Sequence, residues 1–211
     1  FTVGGGTSGS PVGISSLKIT NGYSATAVGD TDGMGGGIDL KSGFANITSS
    51  VITANEATQD GGGIYSAGTL SLTNSTVSSN IAGASGGGII NLGAMTILRS
   101  TISSNRSKTG GGAGLDTWGS TTISYSTIGN NTADNHGGGI NVGGGTINMT
   151  YSTLSGNTAG TSGGGMLISN SSGIITVGNS IIALNTATNT GANISNNIAG
   201  NISDQGYNLL G

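Results

Sequence analysis

A pattern of about 26 residues recurs along this chain, and few folds are compatible with it. LSLTNSTVSSN (70–80), MTILRSTISSN (95–105), TTISYSTIGNN (121–131) and INMTYSTLSGN (147–157) are copies of one segment. ANITSSVITAN (45–55) and ITVGNSIIALN (175–185) are weaker copies, and LKITN (17–21) matches the first five residues of LSLTNSTVSSN. Starts at 17, 45, 70, 95, 121, 147 and 175 give steps of 28, 25, 25, 26, 26 and 28. A second marker keeps the same phase: GGGI at 35–38, 61–64, 86–89 and 137–140, with GGGAGL at 110–115 and GGGML at 163–167.

A helical repeat would show apolar residues at i, i+3, i+4 and i+7, and no window does; Ala, Leu, Glu and Lys are also too sparse. Leucine-rich repeats need several Leu per unit, which is missing. What remains is apolar–polar alternation in short runs separated by Gly and Asn, the pattern of strands. At about 3.3 Å per residue, one repeat traces roughly 85 Å, enough to wind once around a small three-sided cross-section. The expected fold is therefore all-β: a right-handed parallel β-helix, or β-solenoid, of about seven coils of about 26 residues. It is read as a single domain over 1–211, with a first irregular coil over about 1–34 and a closing partial coil over about 186–211. Composition agrees. Gly is 44 of 211 but Pro is 1, which excludes collagen, and 33% apolar content at regular spacing argues against disorder.

Alignment of the copies predicts the core. One inward column is Leu17, Ala45, Leu70, Met95, Thr121, Ile147 and Ile175; the next is Ile19, Ile47, Leu72, Ile97, Ile123, Met149 and Val177. A third runs Ile52, Val77, Ile102, Ile128, Leu154 and Ile182, and the strand after the glycines adds Ile38, Ile64, Ile89, Ile140 and Met166. Asn55, Asn80, Asn105, Asn131, Asn157 and Asn185 form a further column, read as a structural ladder at a corner where Asn tolerates left-handed backbone and stacked amides bond along the axis. The glycines supply positive φ or close approach between coils.

The repeat resembles that of the polymorphic outer-membrane proteins and related bacterial surface β-helices, which pair a GG-apolar motif with a short motif ending in Asn. GGGI and STVSSN or STISSN carry the match, as does the closing DQGYNLLG (204–211). Val77, Ile102, Ile128, Leu154 and Ile182 stand where that family has Phe before x-x-Asn. The resemblance implies a secreted or cell-surface passenger or stalk involved in adhesion, with a carbohydrate or host surface as partner.

Charge and composition exclude other classes. Net charge is −3 and five Lys/Arg cannot track a phosphate backbone, so no nucleic-acid partner is expected. No apolar run reaches the roughly 18–20 residues of a transmembrane helix. With no Cys, redox compartment is silent. Phe1 reads as the start of a processed chain or fragment. Neither end shows a capping helix, so further repeats or head-to-tail stacking of copies into an open filament is expected.

Polysaccharide-acting sites need carboxylates, or a carboxylate with Lys/Arg, converging on one face. Column mapping places Asp39 with Tyr65 and Ile90, Asp116 among unrelated residues and His136 alone on a solvated turn, so no catalytic residue is assigned and the chain is not expected to be an enzyme. A carbohydrate-binding or polysaccharide-degrading β-helix is the alternative. Shifting by one repeat places Asp30 over Glu56 and Met34 beside Asp60, with Asp32 nearby; the first reading is a solvated corner loop, and Asp30, Asp32, Glu56 and Asp60 as a Ca²⁺ site is the alternative. Asn46, Asn74, Asn148, Asn170, Asn193 and Asn201 open N-x-S/T sequons that could carry covalent glycans. Asn105 also opens one but belongs to the ladder. Finally, Thr76, Thr101, Thr127 and Thr153, flanked by Ser78, Ser103 and Ser155, make an outward hydroxyl column of the kind ice-binding solenoids use, interrupted by Val51 and Ile181.

Overall fold

A computed structural model of the chain describes residues 2–3, 10–26, 33–196 and 201–211. Among them every strand is parallel to its neighbours and no helix occurs: the chain is an all-β parallel β-solenoid. Six regular turns follow one another, preceded by a longer first turn and followed by a partial closing one.

Each regular turn has the same four stations. Three-residue strands after the glycines (Ile38–Leu40, Ile64–Ser66, Ile89–Asn91, Leu115–Thr117, Ile140–Val142, Met166–Ile168) form what we call the glycine sheet. Five-residue strands such as Thr69–Thr73 and Ala94–Leu98 form the long-strand sheet, and three-residue strands such as Thr76–Ser78 and Thr101–Ser103 form the threonine sheet. The expected three sides gain a fourth sheet of two-residue strands, among them Ile81–Ala82, Arg106–Ser107 and Thr132–Ala133. Its inward positions, Ala57, Ala82, Ser107, Ala133 and Ala159, are small because this short side leaves little depth beneath it.

The inward columns fall in the expected register from the second turn onward, for example Leu72, Ile97 and Ile123, each fully buried. The first turn is different. Val12 and Ile14 pair with Ala45 and Ile47, whereas Ile19 pairs with Ile52, so LKITN belongs one strand later than its likeness to LSLTN suggests. Leu17 consequently leaves the core and is 54% exposed. The same shift pairs Tyr23 with Glu56.

In each marker the glycine three residues before the strand takes positive φ, as at Gly61 (φ 68°) and, in GGGAGL, Gly112 (φ 63°). The glycine just before the strand is required by close approach: a Cβ on Gly63 would lie 2.6 Å from the Gly88 carbonyl and 2.9 Å from Asn80 Nδ2. The ladder asparagines do not themselves occupy left-handed backbone. The residue before each does, as at Ser79, Ser104 and Asn130, which turns the chain and points the following Asn inward.

Candidate functional site

Two polar ladders run inside the solenoid. At the first, Asn105 Oδ1 accepts from both the backbone N–H and the Nδ2 of Asn80, each at 3.0 Å, while Asn80 Nδ2 also donates to the Ile52 carbonyl at 3.1 Å. The step repeats from Asn55 to Asn185, and all six side chains are buried. At its ends Gly22 donates to Asn55, and Asn185 donates to Asn193. The second ladder escaped the sequence reading. Ser50, Ser75, Ser100, Ser126, Ser152 and Ser180 are buried at the corner before the threonine sheet. Each hydroxyl donates back two residues to a carbonyl, and from Ser75 to Ser180 each accepts the N–H of the serine one coil earlier, at 3.1 Å. Its signal was available, since Ser stands two positions before the third apolar column in every copy.

The sequon asparagines scatter. Asn46 and Asn148 lie exposed in one outward column of the long-strand sheet. Asn74 is exposed at a left-handed corner and accepts from Arg99 Nε at 3.0 Å. Asn170 is exposed on a turn, accepting from Ser172. Asn193 ends the amide ladder and its Nδ2 donates to the Gly211 carbonyl, so this amide is already engaged at both ends. Asn201 lies in the strand Asn201–Asp204. The hydroxyl column Thr76, Thr101, Thr127 and Thr153 is in register on the threonine sheet, but Gly129 and Ala183 interrupt the parallel column of Ser78, Ser103 and Ser155.

Chemically distinct side chains gather instead on the outer face of the glycine sheet. Its outward column runs Asp39, Tyr65, Ile90, Asp116, Asn141 and Leu167. This face is covered, because the corner glycine of each trio folds back over the strand it leads into: a Cβ on Gly112 would lie 2.7 Å from Asp116 Cα. At its N-terminal end, Asp39 and Lys41 form an ion pair at 3.7 Å. Clefts of about 280 Å³ and about 160 Å³ open beside this pair; Met34, Asp39 and Lys41 line both, with Tyr23 in the larger and Tyr65 in the smaller.

Farther along, Asp116 is 2% exposed. Burial pushes its carboxyl from 3.8 up to about 7; the charge of Asp60 adds to this, against hydrogen bonds from Asn141 and the Ser85 side chain. Asn141 Nδ2 donates to Asp116 Oδ1 at 3.0 Å, and the Ser85 N–H donates to Asp60 Oδ1 at 2.8 Å. Burial likewise raises Asp60, partly offset by that Ser85 bond. His136 is half-buried rather than solvated: its ring lies against Gly111, and burial lowers its pKa. Column mapping set Asp116 among unrelated residues; in the structure the charge of Asp60 acts on it and Asn141, the next residue of its column, hydrogen-bonds it.

Of the four residues of the candidate Ca²⁺ site, the structure describes Glu56 and Asp60. Asp30 and Asp32 lie outside the described residues, Glu56 pairs with Lys108 at 2.9 Å on the short sheet, and Asp60 turns to Ser85. Among the described residues no three His, Cys, Asp or Glu come together, and no helix is long and apolar enough to cross a membrane. No protein-family model matches the chain, and neither the curated proteins nor the solved structures compared with it include a match.

Proposed function

We propose that this chain is a non-catalytic structural and adhesive β-solenoid, exposed outside the cell as a segment of surface stalk or stacked head-to-tail as a filament. The observation that carries this reading is the pair of uninterrupted ladders. They commit the most regular polar residues of the repeat to holding one coil on the next, which is what a stiff, protease-resistant rod requires. The likeness of GGGI and STVSSN to the repeats of polymorphic outer-membrane proteins supports the surface location. Head-to-tail growth would reuse the pairing already present between coils, since Lys18–Thr20 and Leu209–Leu210 are the two outer strands of one parallel sheet. Leu17, Leu209 and Leu210, all more than half exposed, supply apolar surface there.

Negative-stain imaging of the isolated chain over a concentration series tests the filament form. Rods whose lengths are multiples of one chain are expected; single particles at every concentration contradict it. Immunogold labelling of intact source cells tests the stalk form, with label on the outer surface expected and label confined to the interior contradicting it. A carbohydrate-binding or polysaccharide-degrading role is favoured by one observation, the Asp39–Lys41 pair beside Tyr65 and two clefts. Saturable binding of an oligosaccharide that Lys41→Met abolishes would favour it over the rod alone.

A further inference from the structure

The corner between the long-strand and threonine sheets carries a column of left-handed residues, Asn74, Arg99, Tyr125, Tyr151 and Asn179, from successive coils. Tyr125 and Tyr151 are neighbours in it. Their rings are stacked, with centroids 5.0 Å apart and planes 4° from parallel. Both side chains are more than half exposed, at 59% and 53%. Of the five tyrosines in the chain, only these two occupy successive coils of one column. Tyr23 lies on the short sheet and Tyr65 on the glycine sheet. Tyr207 shares the corner column but stands two coils beyond Tyr151, about 10 Å along the axis.

The backbone beneath the pair is costly. Tyr125 has φ of 51° and Tyr151 φ of 49°, a region where Gly, Asn or Asp would sit with less strain. Stacking offsets part of that cost. It asks only for the rings, however, and two Phe residues would meet it equally. Neither hydroxyl belongs to the ladders that hold the coils, and solvent reaches both side chains. What a phenol adds to a ring is oxidation. It can lose one electron and its hydroxyl proton to give a phenoxyl radical, whose unpaired electron is shared with the ring carbons next to the C–O carbon.

We propose that Tyr125 and Tyr151 form an oxidative cross-linking site, where a haem peroxidase supplied with hydrogen peroxide joins the two rings into dityrosine. Each phenol loses one electron and its hydroxyl proton, and these together reduce one hydrogen peroxide to two waters. The two radicals couple through one Cε of each ring. The hydrogen on each of those carbons then moves to the phenolic oxygen, so the product has one new carbon–carbon bond and two hydrogen atoms fewer. The stack already holds the partners together, and exposure leaves the rings room to turn as the bond forms. The bond closes a loop of one coil, from 125 to 151, in a chain without Cys. Such a loop removes conformations from the unfolded chain, as a disulfide would, so the link acts as a staple between coils. The site stands independently of whether the rod is a stalk or a filament.

The test uses the full chain at high dilution, treated with a haem peroxidase and limiting hydrogen peroxide. A monomeric product is expected, with dityrosine fluorescence, a mass lower by two hydrogen atoms, and a joined peptide that holds Tyr125 and Tyr151. Its Tm is expected to rise by several degrees. Tyr125→Phe and Tyr151→Phe, which keep the rings, are each expected to fold as wild type and to lose both the internal link and the Tm rise. Tyr207→Phe is expected to keep both. Oxidised wild-type chains joined only to one another, or not joined at all, overturn the proposal. So does an internal link that survives Tyr125→Phe or leaves Tm unmoved.

Discussion

Asn105 and Asn141 are buried asparagines of one repeat protein, and their surroundings differ in kind. Asn105 stands in a column of its own type, where each amide accepts twice from one neighbour and donates to the other and to a carbonyl. Asn141 stands between Asp116 and Leu167, with one hydrogen bond and an oxygen that has none. Identity along the column makes the difference. A residue that both donates and accepts satisfies itself when stacked on copies of itself, whereas a mixed column leaves remainders. The ladders are thus the part of the molecule fixed by the repeat, and the outer glycine face is the part the repeat leaves available for chemistry.

Breaking the ladder has the largest expected effect. Asn105→Ala orphans the N–H of Asn80, takes one of the two acceptors of its Nδ2, and removes the donor to the Val77 carbonyl and to Asn131 Oδ1. A loss of about 3–5 kcal/mol is expected from these unmade bonds, read from urea midpoints; Asn141→Ala, with one bond to lose, should cost about 1 kcal/mol or less.

The mixed column should show itself in pH dependence. Burial holds the Asp116 carboxyl at about 7 in the fold, against 3.8 for an ordinary aspartate. Between those values the unfolded chain has released a proton that the folded chain retains, so Asp116 makes stability fall as pH rises, levelling off above about 7. The fall is at most about 4 kcal/mol. His136, lowered by burial, contributes the opposite slope near its unfolded value of 6.5, so the profile is compared with that of Asp116→Asn. The variant should lack the falling component and exceed wild type at pH 8; identical profiles contradict the assignment.

A smaller effect concerns the turn that aims each ladder residue inward. Leu184, which precedes Asn185, has φ of 58° and is 81% exposed. Leu184→Gly relieves that backbone and should raise stability by about 0.5–1 kcal/mol, whereas the same change at an extended exposed position such as Ile181 should lower it. Smallest of all, Asn46→Gln on the exposed long-strand face should leave the urea midpoint unchanged, and should lower the mass of protein from the source by one glycan if Asn46 carries sugar.

Regularity explains what was legible. Columns such as Leu72, Ile97 and Ile123 could be read because like residues return at nearly constant steps. The first turn could not, because Leu17 and Ile19 alternate as Leu70 and Leu72 do, while Val12 and Ile14 actually take those places. The serine ladder was concealed by the abundance of Ser elsewhere. The burial of Asp116 was harder to read, because an outward strand position ordinarily faces solvent. Ile90 and Leu167 in its column were the available sign that this face is covered, since apolar residues there would otherwise meet water.

Side-chain amide exchange tests the self-matched ladder most directly. In ¹⁵N-labelled protein, the NH₂ protons of Asn80, Asn105, Asn131 and Asn157 are predicted to exchange with solvent orders of magnitude more slowly than those of exposed Asn46 and Asn148. Comparable exchange rates in the two groups would contradict the account.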